Sequence, residues 1–340
     1  MNLNHFEYLC SLSGVSGDEG AVQNYITAHL LGYDFFEDTL GNIIVRVKGE
    51  KPSSKTILLA AHMDEIGFIV TNITDEGYLK FAAIGGIDRR VVIGKEVSVG
   101  QNKVAGVIGL KPVHLSTPDE RKRAPKWDEL YIDIGASDKT SAEALVSLGD
   151  TAVFATDGLA MGDLFAGKAI DDRLGCAILL SLLDAPLPVD VTLVFTVQEE
   201  LGLRGAKTAL QQIKPDVALI IEATTAADLD GVPREKAVCE LGAGVVIPFM
   251  DSGTVYDRAL YAAVTALAET LDIPWQTKTI IAGATDAAEI QRFGAGVQVL
   301  GLAAPVRNIH TGYNVLDPRD AEHLLCLTRA FLTDLGDKFA

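Results

Sequence analysis

Two histidines and several acids in this 340-residue chain stand where they could hold divalent metal ions and activate a water. His62 and Asp64 come just past the apolar run TILLAA, and Glu199 and Glu200 just past VTLVFTV. Glu222 ends VALII, and His310 sits in the loop after VQVLGLA. In open α/β sheets, ligands bind outside the carboxyl ends of the strands. Four separate apolar runs therefore deliver metal-binding or acid–base side chains to the edge where chemistry is expected.

Each residue also has a plainer explanation. A lone histidine such as His62 is more often a hydrogen-bonded core residue than a ligand. Its spacing from Asp64 changes the balance, because residues i and i+2 of an extended segment share a face. Asp64 could then accept the second ring N–H of His62 and fix its tautomer. Glu199 and Glu200 could form a solvated turn with Gly202 and Gly205 nearby. Two adjacent carboxylates after a buried strand are costly without compensation. Consecutive side chains diverge, so one carboxylate could bind metal while the other takes a proton from water. The Asp171-Asp172-Arg173 string opens a helical pattern, where an aspartate serves either as an N-cap or as a carboxylate shared between two ions. Glu222 and His310 are weak signals alone. Together these residues supply two imidazoles, three carboxylates and a base, enough for two zinc or cobalt ions.

The elements that must carry these residues follow from hydrophobic periodicity. An amphipathic helix is expected from Glu19 to Leu31, then strands at TLGNIIVRVKG and KTILLAA. From residue 68 to 165 the pattern changes to short β-branched runs separated by Gly and Asp turns, with TSAEALVSL as the lone helical signal. Such a stretch reads as a small β-barrel or sandwich inserted into the main domain. After Gly167, strands alternate with helices: DDRLGCAILLSLLDA, VTLVFTVQ, GAKTALQQI, VALIIEA, Tyr256 to Leu271, VQVLGLA and a C-terminal helix from Arg319 to Phe339. This alternation implies an α/β fold with a mixed, largely parallel sheet sandwiched by helices. The expected division is residues 1–67 and 166–340 for the main domain and 68–165 for the insertion.

Composition narrows the function classes. Net charge is −17, from 46 acidic and 29 basic residues, which disfavours nucleic-acid and anionic-membrane partners. The one basic cluster, Arg121-Lys122-Arg123 with Lys126, is flanked by acids and reads as a solvated loop. No run of 18 or more uncharged apolar residues suggests a membrane span, and the N-terminus does not read as a signal peptide. Four cysteines without CxxC spacing fit reduced thiols in a cytoplasmic protein.

The strings AHMDEIG, YIDIGAS, KAIDDRLG, VQEELGLRGA, EATTAAD, GATDA and RNIHTG, in this order, resemble the TET-type aminopeptidases, dinuclear-metal exopeptidases of which some were earlier labelled endoglucanases or cellulases. The likeness runs from the N-terminal helix to the His310 loop. It implies a zinc-exopeptidase-like catalytic domain interrupted by a PDZ-like dimerisation domain, and a homo-oligomer in the form of a tetrahedral dodecamer built from dimers. It also implies removal of N-terminal residues from short peptides. By the same resemblance Asp171 bridges two metals, His62 and Glu222 complete one, Glu200 and His310 complete the other, and Glu199 is the general base. Relatives often carry Asp where this chain has Glu222, and GGTDA where it has GATDA. Thr285 and Asp286 are expected near the substrate pocket, without an assigned role. Other readings of the same set are a dinuclear deacylase or carboxypeptidase, and a non-catalytic assembly protein. An endoglucanase fits poorly, since glycosidases need two flanking carboxylates rather than histidines among acids.

Overall fold

The computed structural model describes residues 3–339. Its centre is four parallel strands in the order Val191–Thr196, Ile57–His62, Val217–Ala226, Gln298–Arg307. All are apolar runs of the kind that parallel strands need when both faces are covered. Their side chains alternate between two cores, as a period of two requires. Ile57, Leu59, Ala61, Leu193, Phe195, Leu219 and Ile221 pack on one face. Leu58, Ala60, Val194, Ala218 and Ile220 pack on the other. The first face is covered by the helices Leu3–Ser11, Gly20–His29, Ile170–Leu182, Arg258–Thr270 and Pro318–Phe339, the second by Arg204–Ala209 and Ala287–Gln291.

The mixed character comes from the flanks. Asp34–Glu37 and Ile43–Val47 extend one side antiparallel, and Asn314–Leu316, Leu164–Gly167 and Leu159–Met161 extend the other. The three-residue strands of that far edge, and the first helix, lie outside what periodicity marks. Leu159–Met161 is exposed along its whole length, so no burial pattern announces it. The helix expected over TSAEALVSL shrinks to Lys139–Glu143, capped by Asp138, whose carboxylate accepts from the Ser141 N–H at 2.8 Å.

The strands Gly67–Ile73, Leu79–Ile84, Leu130–Asp133, Val104–Leu110, Glu96–Val99 and Thr151–Phe154 close into an antiparallel barrel in that order. The barrel has its own core, in which Phe68 meets Phe81 and Phe154 edge-on at centroid distances of 5.0 and 5.4 Å. Among the described residues, no helix is long and apolar enough to cross a membrane.

One close approach sets the geometry of the helix that begins near Asp171. A Cβ on Gly175 would lie 2.7 Å from the Ile221 carbonyl and 2.3 Å from an Asp172 oxygen. Only glycine lets the helix seat this closely on the strand that carries Glu222.

Candidate metal centre

The carboxyl edge of the parallel strands opens into a cleft of about 470 Å³, lined by His62, Asp171, Glu199, Glu200, Glu222 and His310 among others. The ends of three strands, the middle of a fourth and one helix entry bring these side chains together from across 249 residues of sequence, from position 62 to position 310. Glu222 does not end its strand as expected but sits inside Val217–Ala226. Asp64 belongs to the same locus but lies fully buried behind it.

Asp171 stands between the two histidines. One of its carboxylate oxygens is 3.0 Å from His62 Nε2, and the other is 3.4 Å from His310 Nε2. Glu222 reaches to 3.9 Å from His62 Nε2, and Glu200 to 3.0 Å from His310 Nε2. Two groups of donor atoms result, His62 with Asp172 and Glu222, and Asp171 with Glu200 and His310, each set lying within 4.8 Å.

Both rings are oriented from behind. His62 Nδ1 is 3.1 Å from the main-chain oxygen of Asp64, and His310 Nδ1 is 3.0 Å from that of Gly86. A carbonyl oxygen only accepts, so each Nδ1 carries a hydrogen and each Nε2 faces the acids. The same Nδ1 of His62 lies 3.5 Å from the Asp64 carboxylate, so Asp64 faces this ring nitrogen with its main-chain oxygen and, further off, with its side chain. That carboxylate accepts the N–H groups of Glu199 and Glu200 at 2.9 and 3.1 Å and the Ser16 hydroxyl at 2.6 Å. Asp64 thus holds the turn that presents the two glutamates.

Asp172 does what an N-cap does. Its carboxylate accepts the Gly175 N–H at 2.9 Å and the His62 N–H at 3.3 Å. Asp171 and Asp172, joined by a cis peptide bond, have non-helical backbone angles, which turns Asp171 into the cleft while Asp172 starts the helix. Arg173, fully buried, donates to the carbonyls of Met63, Leu9 and Leu12, and to Glu65 at 3.2 Å. Lys168 pairs with the same Glu65 at 2.7 Å. This ionic set ties the segment before the helix to the segment after His62, so the segments carrying Asp171 and His62 share one anchor.

The electrostatics call for cations. Five carboxylates, those of Asp171, Asp172, Glu199, Glu200 and Glu222, converge on two imidazoles. Burial drives the carboxyls of Asp172, Glu199 and Glu222 well above the usual range, and that of Glu200 upward too. For His310 burial opposes the charge, but hydrogen bonds to Asp171 and Glu200 outweigh it and lift the imidazole to about 11. Burial likewise opposes charge on His62, and Asp171 and Asp64 overcome it. Without cations the cluster holds protons to limit its charge, and divalent ions would take their place. The donor set of imidazole nitrogen and carboxylate oxygen suits zinc-like ions.

Around this centre stand groups that residue spacing did not single out. Lys278, Asp251 and the 282–285 segment line the cleft, and Thr285 is part of that wall. Asp286 is buried next to it, one oxygen accepting from Thr196 at 2.6 Å and the other without a partner, and burial pushes its carboxyl up to about 6. Gly85 and Gly86 come from the barrel. A Cβ on Gly85 would lie 3.3 Å from a Glu200 oxygen and 2.5 Å from Ile66, and its φ is +81°. No spacing rule reveals these glycines, because the working atom of Gly86 is a main-chain oxygen.

Comparison with known proteins agrees with this geometry. A sequence profile described as M42 glutamyl aminopeptidase matches residues 41–327. An aminopeptidase from the archaeon Desulfurococcus kamchatkensis is 35% identical, with a TM-score of 0.92 over 99% of this chain and 96% of that one. The TET1 peptidase of Pyrococcus horikoshii, which can assemble into a tetrahedron or a large octahedral shell, is 33% identical. Its TM-score is 0.86 over 97% of this chain and 98% of that one. A lysyl aminopeptidase from Pyrococcus furiosus is 32% identical over 88% of this chain and 86% of its own length.

Proposed function

Since the chain belongs to the M42 glutamyl aminopeptidase family and is a metal-dependent aminopeptidase, we propose that it works with two divalent ions, zinc or cobalt, held at the residues described above. In this reading His62 and Glu222 would hold one ion, Glu200 and His310 the other, and Asp171, placed between the two imidazoles, would serve both. Asp172 stays a helix cap. The observation that carries the reading is the pair of imidazoles whose Nδ1 hydrogens are committed to main-chain oxygens while their Nε2 atoms converge on carboxylates. That is the usual outer arrangement of metal-bound histidines.

When bound, two such ions polarise a carbonyl and lower the pKa of water. The protein's own part begins with Glu199, which lines the cleft beside Asp171 and Glu200. Its carboxylate accepts a proton from water as the water oxygen bonds to the first peptide carbonyl carbon. It returns that proton to the amine nitrogen as the C–N bond breaks. Burial raises the Glu199 carboxyl, the charge of His62 opposes the rise, and the charges of Asp286, Glu200 and Asp171 add to it. The turn held by Asp64 keeps Glu199 and Glu200 diverging, one for proton transfer and one for metal. A free N-terminal amine next to the acids makes the enzyme an exopeptidase on short peptides. Glu199→Gln removes the acceptor without removing a ligand. We expect kcat on leucyl p-nitroanilide to fall roughly 10²–10⁴-fold with metal content unchanged. Wild-type turnover by that variant would refute the base assignment.

We further assign the barrel, Gly67–Phe154 where 68–165 was expected, to an inserted dimerisation domain. The main sheet with its helices, which also takes in Leu159–Met161 and Leu164–Gly167, is the catalytic domain. The assembly is a tetrahedral dodecamer, a proposal supported by the likeness to the P. horikoshii peptidase. We also place the enzyme in the cytoplasm, where its cysteines, unpaired among the described residues, are stable as thiols. A light-scattering mass near that of twelve chains supports the assembly, and a stable monomer contradicts it.

A further inference from the structure

We infer that Lys278 selects an acidic N-terminal residue in the substrate. The inference deepens the aminopeptidase reading and rests on it.

An aminopeptidase must place the substrate's first carbonyl beside the metal ligands. The side chain of the first residue then enters the adjoining cleft. The wall next to Glu222 is built from Ala223, Thr224, Asp251, Lys278 and the 282–285 segment. Most of it is small and uncharged. Setting aside the two proposed ligand histidines, Lys278 is the one cationic residue that lines the cleft among the described residues. It is buried, 8% exposed, yet it forms no ion pair within the described chain. Its Nζ donates to the Ala282 carbonyl at 2.6 Å. An ammonium has three donors, so donors remain to be satisfied.

Asp251, the carboxylate on the same wall, does not answer for Lys278. One of its oxygens accepts the N–H groups of Gly253 and Thr254 at 2.8 and 2.7 Å, and the other accepts the Tyr256 hydroxyl at 2.7 Å. It lends Lys278 a favourable field without being its partner, and it has little left to offer a basic substrate side chain. Burial lowers the Lys278 pKa, while Asp251 and Glu222 oppose that effect.

Three kinds of first residue fare differently here. A basic side chain meets a like charge. An apolar side chain fills space but leaves a desolvated ammonium short of acceptors, which costs free energy. A glutamate or aspartate side chain supplies the missing acceptor as a charge-assisted bond. The family does not decide this point, since a relative is named for lysine and the family for glutamate. The local chemistry of this chain does.

The test measures kcat/KM on glutamyl, aspartyl, leucyl and lysyl p-nitroanilides for the metal-loaded wild type and for Lys278→Met and Lys278→Glu. Wild type is expected to favour the acidic pair. The glutamyl-to-leucyl ratio should drop at least about tenfold in Lys278→Met, mainly through KM, as loss of a charged hydrogen bond implies. In Lys278→Glu the preference should move toward lysyl. A wild-type preference for leucyl or lysyl, or a ratio unchanged in Lys278→Met, overturns the inference. Calorimetric binding of free L-glutamate and L-leucine to the same proteins reads the pocket without turnover. Tighter glutamate binding that Lys278→Met abolishes supports it even if no substrate is cleaved, a result that would count against the aminopeptidase reading alone. Equal binding of both amino acids by wild type overturns the inference.

Discussion

At the scale of single residues, the site separates neighbours that look alike in the sequence. Glu199 and Glu200 are consecutive, as are Asp171 and Asp172, yet the members of each pair have different surroundings: Glu200 meets His310, Asp171 faces both imidazoles, and Asp172 accepts the N–H groups of Gly175 and His62. Residue type and position after apolar runs pointed to His62, Glu200, Glu222 and His310, which the structure brings to one cleft, although Glu222 sits inside its strand rather than at its end. The division between Asp171 and Asp172 was legible only through family resemblance, since an N-cap and a metal ligand look identical in sequence. Asp172 is in fact a cap and Asp171 faces both imidazoles. The function of Asp64 was visible as a spacing but not as a geometry. Its carboxylate holds the main-chain N–H groups of the two glutamates, a contact across 135 residues that no local pattern encodes. Asp64→Ala is therefore expected to lower kcat and to weaken metal binding, each about 10–100-fold. Isothermal titration with zinc together with steady-state kinetics checks both, and retention of wild-type metal affinity would restrict Asp64 to a structural part.

At the scale of elements, the parallel strands were readable because they are unbroken apolar runs, and they carry His62 and Glu222 themselves and lead into the loops of Glu200 and His310. What stayed hidden are the short antiparallel edge strands and the contact between barrel and sheet. The turn after Leu79–Ile84 brings Gly85 against Glu200 and the Gly86 carbonyl to His310. The barrel thus helps to position Glu200 and His310, while His62 and Glu222 stand on the sheet itself. Gly85→Ala puts a Cβ into Ile66 and towards Glu200 at a left-handed φ of +81°. The variant should bind one ion per chain near wild-type affinity and the second at least about tenfold more weakly, with kcat reduced in step. Equal weakening of both ions, or of neither, would contradict the separate roles of sheet and barrel.

At the scale of the whole molecule, the buried acids make metal a component of stability as well as of chemistry. Asp172, Glu199, Glu200 and Glu222 have raised carboxyl pKa values, and His62 and His310 are raised as well. A group whose pKa is raised by folding contributes stability below its unfolded pKa and loses it as pH climbs through the folded value. Asp64 and Asp171 are lowered by their histidine partners against the opposing effect of burial. They act in the opposite sense, but their contribution is complete above about pH 4. The metal-free protein should then lose stability steadily between pH 5 and 8. Bound cations replace the protons and remove that loss. The rise in Tm on adding zinc should be about 5–10 °C at pH 8 and smaller at pH 5. Scanning calorimetry across that range checks the sign, and a larger rise at pH 5 would reverse it.

The central claim is that hydrolysis depends on two cations held by one shared aspartate and two imidazole–carboxylate pairs. Its most direct test is elemental analysis of the protein during exhaustive chelation and stepwise zinc or cobalt return, with leucyl and glutamyl p-nitroanilide turnover measured on the same samples. The account predicts two ions per chain at full activity, loss of nearly all turnover when they are removed, and recovery as they return. Undiminished turnover in protein stripped of metal would contradict it.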